Sequence, residues 1–113
     1  MSIQKWSDNV ILVEAQDDPQ FTDDIDSVLT MLDEDPDQDV VIDFRQLSSV
    51  NSTSISRLLK LRKQVVLSNG RKLHLCSVKT QIWGVFLITG LDKLFDFYDD
   101  LTLGLASVQI ENG

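Results

Sequence analysis

The chain has 113 residues, 42% hydrophobic and 25% charged, which suits one domain with its own core and disfavours disorder, collagen-like repeats and a disulfide scaffold. Lys and Arg total 10 against 18 Asp and Glu, a formal net of −8, but residues 1–44 hold thirteen acids and only Lys5 (net −12) while residues 45–113 hold nine bases and five acids (net +4). An acidic field of this size argues against an overall binder of nucleic acid or anionic membrane, either of which needs a basic surface, although a local basic face is allowed.

Met1 to Trp6 lacks the basic start and apolar stretch of a secretory signal, so a cytoplasmic protein is expected. A weak strand is expected near Ile3 to Trp6, followed by a stronger one at Val10-Ile11-Leu12-Val13, which is short, β-branched and bounded by polar residues. Phe21, Ile25, Val28, Leu29 and Leu32 recur at helical spacing, with Asp23 and Asp24 in the first turn, where carboxylates suit the helix dipole. Asp33 to Asp39, broken by Pro36, reads as a loop, and Val40 to Phe44 as a strand buried on both faces. Ile55 to Leu67 predicts a second helix with Ile55, Leu58, Leu59, Val65 and Val66 on one side, Arg62 intruding into that stripe, and Asn69-Gly70 as the stop. Leu73 to Cys76 predicts a further strand, Lys79 to Ile88 a third helix stopped at Gly90, Leu94 to Tyr98 a last short strand, and Leu101, Leu103 and Leu105 a short helix or tail. The longest apolar stretch, Ile82 to Ile88, is far short of the roughly 20 residues of a membrane helix.

Strands alternating with helices at these lengths imply βαβ units, an α/β fold with a largely parallel sheet of four or five strands and about four helices, in one domain spanning residues 1–113. Few local patterns point to chemistry. Asp33, Asp35, Asp37 and Asp39 have the spacing of a calcium loop, but Gln38 stands where the turn needs Gly and Phe44 where a Glu is needed. His74 and Cys76 share a strand face as half of a metal site, yet no other His or Cys accompanies them, so packed strand residues are expected and neither a metal nor a cofactor is implied. No glycine-rich phosphate loop or nucleophile elbow occurs, so an enzyme is not expected. Asn51-Ser52-Thr53 fits a glycosylation acceptor, which is a chance match in a chain without a secretory start.

The informative segment is Leu47-Ser48-Ser49-Val50-Asn51-Ser52-Thr53-Ser54-Ile55. Asn, Ser and Thr cap helices because their oxygens accept the orphan N–H groups, but three hydroxyls after Asn51 exceed what one cap requires. A hydroxyl at a helix start is also a good phosphoacceptor.

Asp43-Phe44-Arg45-Gln46-Leu47, Val50 to Ile55, Asn69 to Leu73 and Thr89-Gly90-Leu91-Asp92-Lys93-Leu94-Phe95 together resemble the STAS domain of anti-sigma-factor antagonists, over residues from about 40 to 107. The resemblance implies the STAS fold and a turn reading Asp-Ser-Ser/Thr-Gly in the family, whose Ser is phosphorylated by a partner kinase that is itself the anti-sigma factor. Asn51 then matches the Asp, Ser52 the phosphoserine, Thr53 the second hydroxyl and Ser54 the Gly, with Asn51 and Ser54 departing from the pattern. It further implies a non-enzymatic partner switch: the unphosphorylated form captures an anti-sigma factor/serine kinase, phosphorylation of Ser52 (Thr53 and Ser54 in reserve) ends the capture, and a serine phosphatase restores it. The alternative is a STAS scaffold, never phosphorylated, in a stress-signalling or lipid-transport complex. The partner face would comprise Asn51, Ser52, Thr53 and Ser54 with Arg57 and Lys60 on the helix side opposite the apolar stripe. Trp83 and Leu87 are either an exposed patch for a partner or second copy, or extra core.

Overall fold

The computed structural model describes residues 2–112, with side chains through residue 109. Strands β1 (Ile3–Ser7), β2 (Val10–Glu14), β3 (Asp39–Asp43), β4 (Leu73–Cys76) and β5 (Asp96–Tyr98) alternate, after the first hairpin, with helices α1 (Gln20–Glu34), α2 (Ser52–Arg62), α3 (Thr80–Thr89) and α4 (Leu101–Asn112). The sheet runs β1-β2-β3-β4-β5 in spatial order, antiparallel only between β1 and β2. This is the mixed, mostly parallel α/β architecture that the alternating pattern implies.

Strand parity divides the core. Ile11, Val13, Val40, Ile42, Leu73 and Leu75 face one side, where α1, α2 and α3 cover them; Val10, Leu12, Val41 and Cys76 face the other, where Val108 of α4 packs. Because consecutive strands are parallel neighbours in chain order, each crossover helix returns over the same face. All five residues of β3 are buried, as a central strand covered on both sides requires. Phe21, Phe44 and Phe86 join α1, the end of β3 and α3 through edge-to-face pairs at 6.3 Å.

The helices refine the expected stripes. In α2 the buried residues are Ser54, Leu58 and Leu61, and Leu59 is exposed. After Arg62 the chain widens into a π-helical segment, Lys63–Ser68. The buried residues Ser54, Leu58, Leu61 and Val65 follow one another at spacings of four, three and four, an ordinary helical stripe that lies beside the one drawn through Ile55, Leu59 and Val66, so the core-facing side is rotated from the expected one before the π segment begins. Arg62 does not enter the core: its Nε donates to the Leu94 carbonyl at 2.7 Å, tying α2 to the segment before β5. Gly70 and Gly90 both adopt positive φ, at the ends of the π segment and of α3, and Gly serves there because it carries no Cβ penalty.

The terminal segment is a full helix rather than a tail. Leu101, Gly104, Leu105 and Val108 face the sheet, while Leu103 is exposed; alternation over three leucines is no guide to a 3.6-residue period. Gly104 lets α4 approach closely, since a Cβ there would lie 3.4 Å from Cys76 and Val41. Among the described residues no helix is long and apolar enough to cross a membrane.

Candidate functional site

The hydroxyl-rich turn lies at the C-terminal end of β3. Leu47, 1% exposed, anchors it, with its amide closing a turn onto the Phe44 carbonyl at 3.0 Å. Ser48 and Ser49 are exposed and Val50 packs partly on the main core. Asn51 then caps α2 in a reciprocal box: its Oδ1 accepts from the Ser54 amide at 2.9 Å, and its own amide donates to Ser54 Oγ at 3.4 Å.

The turn separates its three hydroxyls. Ser52 and Thr53 are exposed in the first turn of α2, whereas Ser54 is buried. Ser54 Oγ donates to Asp18 Oδ2 at 2.8 Å and lies 3.1 Å from Asn51 Oδ1. A reserve acceptor at Ser54 is therefore at odds with its position: the hydroxyl is enclosed and already engaged.

Asp18, in the loop after β2, is the residue that sequence reasoning passed over. Its Oδ1 accepts from the Thr22 amide at 2.9 Å and Thr22 Oγ1 at 2.7 Å; its Oδ2 accepts from Asn51 Nδ2 at 3.1 Å and from Ser54. Asp17 beside it accepts from the Ser48 amide at 2.8 Å. Partial burial raises the Asp18 pKa, but the hydrogen bonds from Thr22, Ser54 and Asn51 outweigh it and hold the carboxyl below its ordinary value. Asp17 is likewise lowered, first by the Ser48 backbone amide and with help from the Lys79 charge.

This carboxylate suits the residues that stand at positions 51 and 54. An Asp at position 51 would set a second negative charge against Asp18, whereas the amide of Asn51 donates to it. A Gly at position 54 would remove the hydroxyl that fills the other Oδ2 site. Asn51 and Ser54 thus form one hydrogen-bonded unit with Asp18, bridging the loops that precede α1 and α2. The only sequence signal was Asp17-Asp18-Pro19 before a helical stripe, which points to a helix start and says nothing of a contact 36 residues away.

The basic face is also rearranged. Arg57 is not opposite the apolar stripe but on the flank toward α1, with its Nε 2.8 Å from Asp26 Oδ1; Lys60 remains exposed. Trp83 and Leu87 do not form a joint patch. Trp83 is half-buried against Phe97, with ring centroids 4.7 Å apart, while Leu87 is 52% exposed next to Ile88 at 89%.

His74 and Cys76 sit under α4. His74 is buried, its Nδ1 2.7 Å from Ser107 Oγ and its ring 4.6 Å from that of Tyr98. Ser107 Oγ also lies 2.7 Å from the Gly104 carbonyl, to which it donates. Burial, with the charges of Asp43 and Asp100, pushes the Cys76 thiol up to about 12. Among the described residues no group of three His, Cys, Asp or Glu side chains could hold a metal ion.

Known structures share this architecture. Moorella thermoacetica RsbS carrying a Ser-to-Glu substitution superimposes with a TM-score of 0.81 at 18% identity, covering 97% of this chain and 95% of that one. An anti-sigma-factor antagonist (STAS) domain protein from Planctomyces limnophilus gives 0.77 at 17% identity, covering 95% and 96%. A chain from the molecular architecture of the stressosome, a signal integration and transduction hub, gives 0.76 at 19% identity, covering 97% of each. No curated protein matches the chain. At these identities the likeness establishes the fold, and the sequence itself supplies the kinship: residues 4–103 match the STAS domain model, so the chain belongs to the STAS domain family.

Proposed function

We propose that the protein is a non-enzymatic partner-switching regulator whose state is set by phosphorylation of Ser52, written by an anti-sigma factor/serine kinase and erased by a serine phosphatase. The observation that carries this reading is the sorting of hydroxyls at the start of α2: Ser52 and Thr53 exposed on a turn held rigid from beneath by Asn51, Ser54 and Asp18. Both Ser52 and Thr53 are open to a kinase, and Ser52 is the one at the position that the resemblance gives the phosphoserine.

A phosphate adds about −1.5 to −2 charges. At the N-terminus of α2 it gains roughly 0.3–1 kcal/mol from the helix dipole, while an unpaired charge in a buried interface costs about 3–5 kcal/mol. Asp18 already places a carboxylate beneath the turn, and the Arg57 guanidinium is held by Asp26. Phosphorylation therefore deepens an acidic face, and the switch acts by rejecting the partner rather than by unfolding the domain. Lys60, exposed on α2, completes the docking face with Asn51, Ser52 and Thr53.

Intact-mass and fragment-ion spectra of the chain isolated from its own cells, wild type and Ser52→Ala, test the reading alongside partner pulldown with Ser52→Glu. A phosphate on Ser52 and loss of the partner with Ser52→Glu are expected. An unmodified Ser52 together with unaltered partner binding by Ser52→Glu would sink it. That pair of results favours the second reading, a constitutive scaffold in a stress-signalling assembly, for which Asn51 and Ser54 speak as departures from the phosphorylated pattern.

A further inference from the structure

We propose that the hollow between the start of β1 and helix α1 binds a protonated amine. It measures about 300 Å³ and is lined by Ser2, Ile3, Gln16, Gln20, Asp24 and Ser27. Asp24 makes the assignment. It stands three residues after Phe21 and four before Val28, on the buried stripe of α1, and is only 7% exposed. Its Oδ1 accepts from Gln20 Nε2 at 2.8 Å, but its Oδ2, also buried, meets no donor in the protein. A carboxylate oxygen removed from water without a donor is one of the costlier arrangements a fold can keep, and such rule-breaking positions are where function is to be sought. Here the acid borders an open polar hollow instead of bare core.

The ligand class follows from charge and donor count. Every lining residue belongs to the segment 1–44, with its net of −12, so an anion is repelled and a cation concentrated. Gln16, Gln20, Ser2 and Ser27 supply carbonyl and hydroxyl acceptors around the carboxylate. An alkylammonium carries three N–H donors for that set, and Ile3 offers an apolar wall to its first methylenes. A hard divalent ion would want several carboxylates, and the lining supplies one.

The same ammonium could arrive on a free amine or on a lysine of another protein, and an NMR titration of the full chain distinguishes them. The probes are methylammonium, putrescine and Nα-acetyl-lysine amide, with tetramethylammonium as a cation that has no N–H donor. The expected result is saturable shifts at Ile3, Gln16, Gln20, Asp24 and Ser27 with the first three probes and none with the fourth. Affinity falls about tenfold or more in Asp24→Asn, as loss of a charged hydrogen-bond partner dictates. Ser27→Leu, at an exposed helix position, fills the hollow without touching the core and abolishes binding, which keeps the test decisive if Asp24→Asn fails to fold. Tighter binding of putrescine supports a free amine as the ligand, and tighter binding of the lysine amide supports a partner's lysine. No shifts, shifts linear in concentration and equal with tetramethylammonium, or binding unchanged in both variants would overturn the proposal and leave a solvent-filled hollow only.

Discussion

Replacing Asp18 by Ala is expected to destabilise the fold by about 2 kcal/mol. Its Oδ1 satisfies the first turn of α1 through the Thr22 amide and hydroxyl, and loss of a helix-capping oxygen costs typically ~1 kcal/mol. Its Oδ2 holds Asn51 Nδ2 and Ser54 Oγ. Asn51 is exposed, so water replaces its lost acceptor. Ser54 Oγ is buried and keeps Asn51 Oδ1, at 3.1 Å, as the acceptor for its proton, a longer bond than the 2.8 Å one it loses, which adds about 1 kcal/mol. With an unfolding entropy of roughly 2.1 cal/mol/K per residue over this chain, the total lowers Tm by about 8 °C. Urea unfolding at pH 7 measures the loss, and a double-mutant cycle with Ser54→Ala isolates the shared bond, with a coupling of about 1 kcal/mol expected. The pH dependence supplies a second readout. The folded pKa of Asp18 lies below 3.8, so the unfolded chain protonates first as the pH falls, and the stabilisation is present above about pH 4 and disappears as the pH drops through the folded value. The gap between wild type and Asp18→Ala is therefore full at pH 5–7 and narrows below about pH 4. A loss under about 0.5 kcal/mol with additive double mutants would refute the claim that Asp18 holds the Ser52 turn in place.

Three other outcomes are expected. Arg71 bonds the buried Asp39 carboxylate at 3.1 Å through both Nε and Nη2, and the Lys72 amide donates to the same carboxylate at 2.9 Å, so Arg71→Met, which removes the guanidinium but leaves the amide, lowers stability by about 1.5–3 kcal/mol in urea unfolding. Gly104→Ala, whose Cβ would sit 3.4 Å from Cys76 and Val41, is nearly tolerated, whereas Gly104→Leu lifts α4 from the sheet, costs about 1–3 kcal/mol and exposes Cys76 to thiol reagents. Cys76 in the folded wild type resists maleimide at neutral pH. Because its pKa is raised from 9.0 to about 12, the unfolded chain ionises first on the alkaline side, and wild type loses stability between about pH 9 and 12 relative to Cys76→Ala.

Much of the architecture was legible along the chain. Val10 to Val13, Val40 to Phe44 and Leu73 to Cys76 announce strands of a covered parallel sheet, and Phe21 to Leu32 an amphipathic helix, because both periods are set by backbone geometry within a few residues. The periods leave a choice where two neighbouring faces are both apolar or where the spacing fits no period. In α2 two adjacent faces both carry leucines, and the one through Ser54, Leu58 and Leu61 is buried where the one through Ile55 and Leu59 was expected; of the helix or tail expected at Leu101, Leu103 and Leu105 the chain forms the helix, which packs through Gly104 and Val108. Trp83 and Leu87 share a helical spacing but not an environment, since Phe97, from a strand, covers only the first.

The candidate site shows the same division. The residues Asn51 to Ser54 and their place at a helix start follow from local composition, since capping is a matter of three or four consecutive residues. Which hydroxyl faces solvent and which is enclosed depended on Asp18, 33 residues from Asn51 and 36 from Ser54. The sequence by itself determined the α/β order, the acidic and basic halves and the hydroxyl turn. Only the tertiary structure decided that Arg57 serves Asp26, that Ser54 is buried and that Asp18 ties two loops together, because hydrogen bonds and ion pairs form between groups that folding brings within 3 Å, and no periodicity in a linear chain encodes that meeting.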